Sequence, residues 1–182
     1  MKKALLVVDY TVDFVAEDGA LTCGLPGIEL ESYICKITEQ FIKDGEYVVF
    51  PVDVHELHDP YHPETKAFPP HNIRGTAGRN LYGQLHDLYQ QYAEDIFWMD
   101  KTRYSVFAGT DLELRLRARN IREIHLVGVC TDICILHSAI DAYNKGFDIV
   151  IHEQGVASFN QMGHEWAINH FEQTLGATVI RK

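Results

Sequence analysis

Along the whole of this chain, short apolar runs of strand character alternate with amphipathic helical stretches, and that alternation constrains the fold more than any other feature. Strand patterns cover about Lys3 to Asp9, Tyr47 to Val54 and Asp95 to Asp100, then a run from Ile124 that ends at Val129, Asp148 to His152, and Thr178 to Ile180. A helix is predicted over about Ile28 to Lys43, where Leu30, Ile34, Ile37 and Phe41 recur at helical spacing and Gly45 marks the end. Further helical patterns cover Leu85 to Tyr92, a stretch from Asp111 announced by the capping box Thr110-Asp111-Leu112-Glu113, and His164 to Leu175. Another follows Val129, with Leu136, Ile140 and Tyr143 on one face. Strands joined through helices pair in parallel and are covered on both faces. The expectation is therefore one α/β domain over residues 1–182, a three-layer α/β/α arrangement with a central, mostly parallel sheet.

In such a sheet the C-terminal ends of the strands share one edge, and ligands bind there. Polar residues at those ends are thus the first place to look for chemistry. Asp9 closes the first apolar run and Lys101 follows the run Ile96 to Met99. After Val127 comes Gly128-Val129-Cys130-Thr131-Asp132-Ile133-Cys134, a strand turning sharply into a helix. That turn places Cys134 in a first helical turn, where unpaired backbone N–H groups and the helix dipole favour a thiolate. On these seven residues alone, two cysteines serving as small buried hydrophobes is an equal reading. An Asp, a Lys and a Cys at three strand ends can converge although far apart in sequence.

A long segment, His55 to Gly83, carries Pro60, Pro63, Pro69 and Pro70 with Gly75 and Gly78, and reads as loop. Irregular stretches of that length within a compact domain are usually functional. The strand before it ends in Asp53-Val54-His55, and the loop supplies His58, Asp59, His62, Glu64 and His71. Asp53 and His55, two apart in extended chain, point to the same side. Carboxylates with imidazoles suit a divalent zinc, manganese or iron ion, whereas any single histidine here reads more readily as a solvated surface residue.

The blocks Asp9-Tyr10-Thr11-Val12-Asp13-Phe14, Lys101 to Phe107, Gly128 to Cys134 and Ser138-Ala139-Ile140-Asp141-Ala142 resemble those of the isochorismatase-like cysteine hydrolases, in order and approximate spacing over nearly the whole chain. The resemblance implies an Asp–Lys–Cys triad at Asp9, Lys101 and Cys134, and an oxyanion hole from the backbone N–H groups of Cys130 and Cys134. It also implies a non-proline cis bond at Val129–Cys130. One departure is visible: the family often has Gln two residues after the Asp, where this chain has Thr11.

The loop narrows the resemblance. Asp53-Val54-His55, Pro69-Pro70-His71 and Gly75-Thr76-Ala77-Gly78 are similar to the nicotinamidase/pyrazinamidase branch. That branch implies one divalent metal ion, zinc first with manganese or iron as alternatives, on Asp53, His55 and His71, with Glu64 as a fourth ligand. His58 and His62 are then bystanders, and the metal loop runs over about 53–83. The implied reaction is hydrolysis of nicotinamide to nicotinate and ammonia through a thioester on Cys134, with pyrazinamide as a second substrate and pyridine-nucleotide (NAD) salvage as the setting. Phe14, Phe68 and Tyr104 lie next to the motifs as candidate walls for a flat ring. Trp98 and Trp166 read as core or interface residues. The alternatives are another amide or carbamoyl hydrolase of the superfamily, or a non-catalytic metal-binding module on the same fold.

A formal net charge of −10 with no basic stripe argues against a nucleic-acid partner. No apolar run reaches the length of a membrane span, and Met1-Lys2-Lys3 leads too soon to Asp9 for a signal peptide. A cytoplasmic enzyme is expected, with a small-molecule substrate, no membrane partner and a homo-oligomer as an open option. The cysteines Cys23, Cys35, Cys130 and Cys134 have no disulfide-framework spacing, and reduced thiols are expected.

Overall fold

The computed structural model describes residues 2–181. Its frame is a six-stranded sheet in the order β3-β2-β1-β4-β5-β6. The strands are β1 (Lys3–Val8), β2 (Tyr47–Asp53), β3 (Ile96–Lys101), β4 (Glu123–Val129), β5 (Asp148–Ala157) and β6 (Thr178–Ile180). Every neighbouring pair is parallel. The helices are α1 (Val12–Val15), α2 (Leu25–Ile28), α3 (Glu31–Lys43), α4 (Gln84–Gln91), α5 (Leu112–Ala118), α6 (Leu136–Asn144) and α7 (Gln161–Gln173).

Side-chain alternation along the central strands builds two cores. Ala4, Leu6 and Val8 of β1 face a layer with Leu112 and Leu116 of α5, Ala139 of α6 and Phe171 of α7. Leu5 and Val7 face the opposite layer, with Ile34 and Phe41 of α3 and Leu85 of α4. Strand order reverses between β1 and β4, and their carboxyl ends open a crevice at that switch point. Gly128 makes the close approach possible: its φ is 117°, and a Cβ there would strike the Val8 carbonyl.

The sequence expectations need adjustment at several places. The helix expected from Ile28 divides into α2 and α3, with Pro26 in the first turn of α2. A four-residue helix such as α1 or α2 is too short to leave a periodic pattern. β5 runs on past His152: after an irregularity it resumes pairing with β4, Gly128 opposite Val156 and Val129 opposite Ala157. α7 begins at Gln161 rather than His164, because the Asn160 side chain caps it by accepting from Gly163 N at 3.1 Å. The capping box before α5 does not close. Thr110 Oγ1 accepts from Leu112 N, but Glu113 turns to Lys145 instead, at 2.7 Å. Tyr143, expected on the apolar face of its helix, is exposed, as is Trp166, which stacks on His170. Trp98 packs at the margin of the second core, donating from Nε1 to Asp100 at 3.0 Å.

Two histidines lie buried where the sheet meets α3, and a relay of hydrogen bonds explains them. His125 Nδ1 and His152 Nε2 are 2.8 Å apart; His152 Nδ1 meets the Tyr33 hydroxyl at 2.8 Å, and His125 Nε2 meets Glu123 at 2.9 Å. Burial, with the neighbouring His125, lowers His152 from its ordinary 6.5 to about 4. Unfolded, His152 takes up a proton near pH 6.5; folded, it resists until about 4. Its contribution to stability is therefore complete above pH 6.5 and is lost as pH falls towards 4. The loss is on the order of 3 kcal/mol. Urea melts at pH 7 and 4.5 are expected to differ less for His152→Gln than for the unaltered protein. Equal pH sensitivity in the two proteins would show that the histidine relay is not the cause.

Candidate active site

β1 ends one residue before Asp9, whose left-handed φ of 56° turns the chain back into the crevice. Conformations of that kind cluster at functional sites. β2 ends at Asp53 and β3 at Lys101, and the parallel register sets these two side by side. A π-helical turn, Thr131–Ile135, follows β4 and carries Cys134 into α6. The Val129–Cys130 bond is cis, as the resemblance implies. Residues more than a hundred positions apart in sequence thus meet at one sheet edge.

The geometry is close. Lys101 Nζ lies 2.7 Å from Asp9 Oδ2, 3.4 Å from Asp53 Oδ1 and 3.7 Å from Cys134 Sγ, and it donates to Arg103 O at 3.1 Å. Asp9 Oδ1 accepts from Asp53 N at 2.8 Å. Asp9, Lys101 and Cys134 are all buried. Burial alone would lower Lys101, but Asp53 and Asp9 together hold it well above the usual lysine range. Its ammonium charge is thereby fixed.

One cation between two carboxylates divides them. Burial pushes Asp9 up, Lys101 pulls it back, Asp53 pushes it up again, and it stands at about 6. Asp53, though buried, is drawn far below the carboxylate range by Lys101 and by its histidine partners. Carboxyl groups whose pKa values are driven apart in this way suit separate tasks, one holding charge and one moving protons. Burial raises the Cys134 thiol well above its ordinary value, against the pull of Lys101 and with Asp9 and Asp53 raising it further.

Asp53 faces a second cluster. One ligand atom each from Asp53, His55, Glu64 and His71 lies within 4.8 Å of the others, and all four residues are buried. His55 Nε2 is 2.6 Å from Asp53 Oδ2. His71 Nε2 stands 3.6 Å from Asp53 Oδ2 and 3.5 Å from Glu64 Oε2, too far for hydrogen bonds, and is buried without a hydrogen-bond partner. The other ring nitrogen of His71 meets Pro69 O at 2.8 Å, an arrangement that leaves Nε2 as the free donor atom. Although burial lowers it, Asp53 and Glu64 raise His71 to about 10, a measure of how strongly this carboxylate pair favours a positive charge at that point. Two imidazoles and two carboxylates at this spacing fit a divalent transition metal.

His58, expected as a bystander, is exposed. His62 also stays outside the ligand set, yet it is not solvated: its Nε2 meets Thr102 O at 2.8 Å and its ring packs on His55 at 4.2 Å. Sequence reasoning missed the anchors of this loop. Thr11, at the position that departs from the family pattern, donates to Asn72 Oδ1 at 2.9 Å, and Asp13 accepts from Asn72 N at 2.7 Å. Arg79 donates to Asp53 O at 2.8 Å and to Val52 O at 3.1 Å. No spacing rule predicts such contacts, because they depend on the path of an irregular loop.

Each cluster reaches one narrow, mostly apolar cleft, the first through Cys134 and the second through Asp53 and Glu64. Phe14, Phe68 and Tyr104, expected as walls, line it together with Cys130, Cys134, Asp53 and Glu64. Leu21, Val129, Ile133 and the exposed Phe159, none of them foreseen, complete it. Phe14 and Phe68 hold the His71 ring at centroid distances of 5.3 and 6.2 Å. Among the described residues no helix is long and apolar enough to cross a membrane.

A parallel sheet with these groups at its carboxyl edge defines an isochorismatase-type hydrolase, and residues 3–182 match the Isochorismatase domain family, to which the chain belongs. It is 61% identical over 181 residues to a Bacillus subtilis protein described as an uncharacterized isochorismatase family protein, PncA, covering 98% of this chain and 99% of that one. The crystal structure of nicotinamidase/pyrazinamidase PncA from Bacillus subtilis superposes with a TM-score of 0.97 at 60% identity, over all of both chains. That of a pyrazinamidase/nicotinamidase from Streptococcus mutans gives 0.96 at 51% identity, covering 98% of this chain and all of that one.

The cluster on Asp53 makes a direct prediction. Protein stripped of metal and titrated with zinc is expected to bind about one equivalent and to melt at higher temperature, since a ligand specific to the folded state stabilises it. Asp53→Ala and His71→Ala should each lose that rise and the tight binding, as read by equilibrium dialysis with elemental analysis. Unchanged binding in both variants would remove the cluster as a metal centre.

Proposed function

We propose that this protein is a nicotinamidase, hydrolysing nicotinamide and also pyrazinamide to the carboxylic acid and ammonia. The observation that carries the reading is that Cys134, held beside Asp9 and Lys101, and Asp53 and Glu64 of the histidine–carboxylate cluster line one aromatic cleft. The Bacillus subtilis and Streptococcus mutans structures described as nicotinamidase or pyrazinamidase support it. Asp53, His55, Glu64 and His71 would hold a divalent ion, zinc first and manganese or iron as alternatives, whose chemistry there is Lewis-acid binding of a ring nitrogen.

The chain's own residues do the rest. Phe14, Phe68 and Tyr104 wall the flat ring, and a fixed ring presents its carboxamide carbon to Cys134 Sγ. Asp9 takes the thiol proton as sulfur attacks; its ordinary partner in charge, Lys101, remains protonated and favours the nascent thiolate. The tetrahedral oxyanion is received by the backbone N–H groups of Cys130 and Cys134. Collapse breaks the carbon–nitrogen bond, Asp9 returns its proton to the leaving nitrogen, and ammonia departs from a Cys134 thioester. Water, giving a proton to Asp9, attacks the thioester; the acid leaves and the proton goes back to Cys134.

Ammonia release from nicotinamide tests the reading. Zinc-loaded protein should release it, chelation should abolish the release, and zinc should restore it. Cys134→Ala and Lys101→Ala should each fall by at least about a thousandfold in kcat, since members of such a unit fail together. No ammonia from nicotinamide or pyrazinamide with zinc-loaded protein would sink the assignment.

A further inference from the structure

The block Ser138 to Ala142 matches the family yet takes no part in the reaction just described. Its polar residues, Ser138 and Asp141, are three apart on α6 and therefore share a face. Ser138 is fully buried; its hydroxyl donates to Cys134 O at 2.6 Å and accepts from Val106 N at 3.1 Å. A helical serine commonly bonds back to the carbonyl four residues earlier. Taking an N–H from another segment at the same time is the unusual part. Asp141 Oδ2 accepts from Ser105 Oγ at 2.5 Å, and Ser105 Oγ accepts from Phe107 N at 3.2 Å.

These bonds fasten residues 105–107 to α6. The same stretch of chain begins at Lys101, and its Arg103 carbonyl accepts from the Lys101 ammonium at 3.1 Å. So the segment that aims the ammonium is tied to the helix whose preceding turn carries Cys134, with Nζ and Sγ 3.7 Å apart. We propose that Ser138 and Asp141 are positioning residues, holding the 101–107 segment against α6 so that Lys101 stays in register with Cys134. The inference rests on Cys134 being the nucleophile, as in the reading above, and not on the identity of the amide.

Two readouts test it, one free of substrate. The first is the rate at which iodoacetamide alkylates Cys134, followed by mass spectrometry of the intact protein and its peptides. The second is kcat and KM for ammonia release. Ser138→Ala is expected to lower both the alkylation rate and kcat by about tenfold while KM stays within about twofold, because displacement of a reacting group affects the attack more than binding. Asp141→Ala should do the same, Asp141→Asn should recover most of the loss by keeping an acceptor oxygen, and Ser105→Ala combined with Asp141→Ala should be no worse than Asp141→Ala alone. Should Ser138→Ala fail to fold, the Asp141 and Ser105 variants carry the test. Variants that merely melt lower, with alkylation rate and kcat within about twofold of the unaltered protein, would overturn the proposal. Slower Cys134 alkylation in a protein inert towards nicotinamide would uphold the positioning role and remove only the substrate assignment.

Discussion

One buried ammonium organises this site. Lys101 Nζ sits between Asp9 at 2.7 Å and Asp53 at 3.4 Å, with all three side chains shut away from solvent. Two carboxylates at that depth could not both remain ionised without it, and a lone buried lysine would shed its proton. Each therefore depends on the others. The parallel register makes the meeting unavoidable, because Asp53 and Lys101 are partners across β2 and β3 and the Asp53 amide donates to Asp9. Fold and charge arrangement are in this sense one fact.

Asp53 gives that arrangement a second side. Its Oδ1 faces the ammonium and its Oδ2 faces His55, so a single carboxylate joins the reacting thiol's surroundings to the histidine cluster. Its neighbours keep it ionised, which is the state a metal ligand needs. Asp9, although closer to the lysine, is raised by its deeper burial to about 6, the range that suits a group exchanging a proton.

Much of this was legible in the chain because strand ends can be read. Apolar runs closing at Asp9, Asp53 and Val129 mark the sheet's carboxyl edge, and Lys101 comes just after such a run, so their convergence follows from parallel pairing alone. Other features have no local signature. Burial around Cys134 raises its thiol while a first helical turn favours the thiolate, and the first of these has no local pattern because desolvation depends on what packs over the residue. His62 looks identical in sequence to the exposed His58, yet it props up His55. The roles of Thr11, Asp13 and Asn72 emerge only when the long loop meets the start of α1, and β5 continues beyond its apparent end because β4 offers partners again after the irregularity.

The loop that carries His55, Glu64 and His71 is pinned to the frame by side chains as much as by backbone: Thr11 and Asp13 at Asn72, Arg79 at the end of β2, Arg74 and Arg79 at Asp100, and His62 at Thr102. The sheet edge that carries Asp9, Lys101 and Cys134 is by contrast continuous with the core. The Asp9–Lys101–Cys134 group and the histidine–carboxylate cluster thus stand on separate stretches of backbone, and Asp53 is the side chain that contacts both. A change in the loop can therefore alter the histidine–carboxylate cluster while leaving the Lys101–Cys134 spacing, which the sheet and α6 set, where it is.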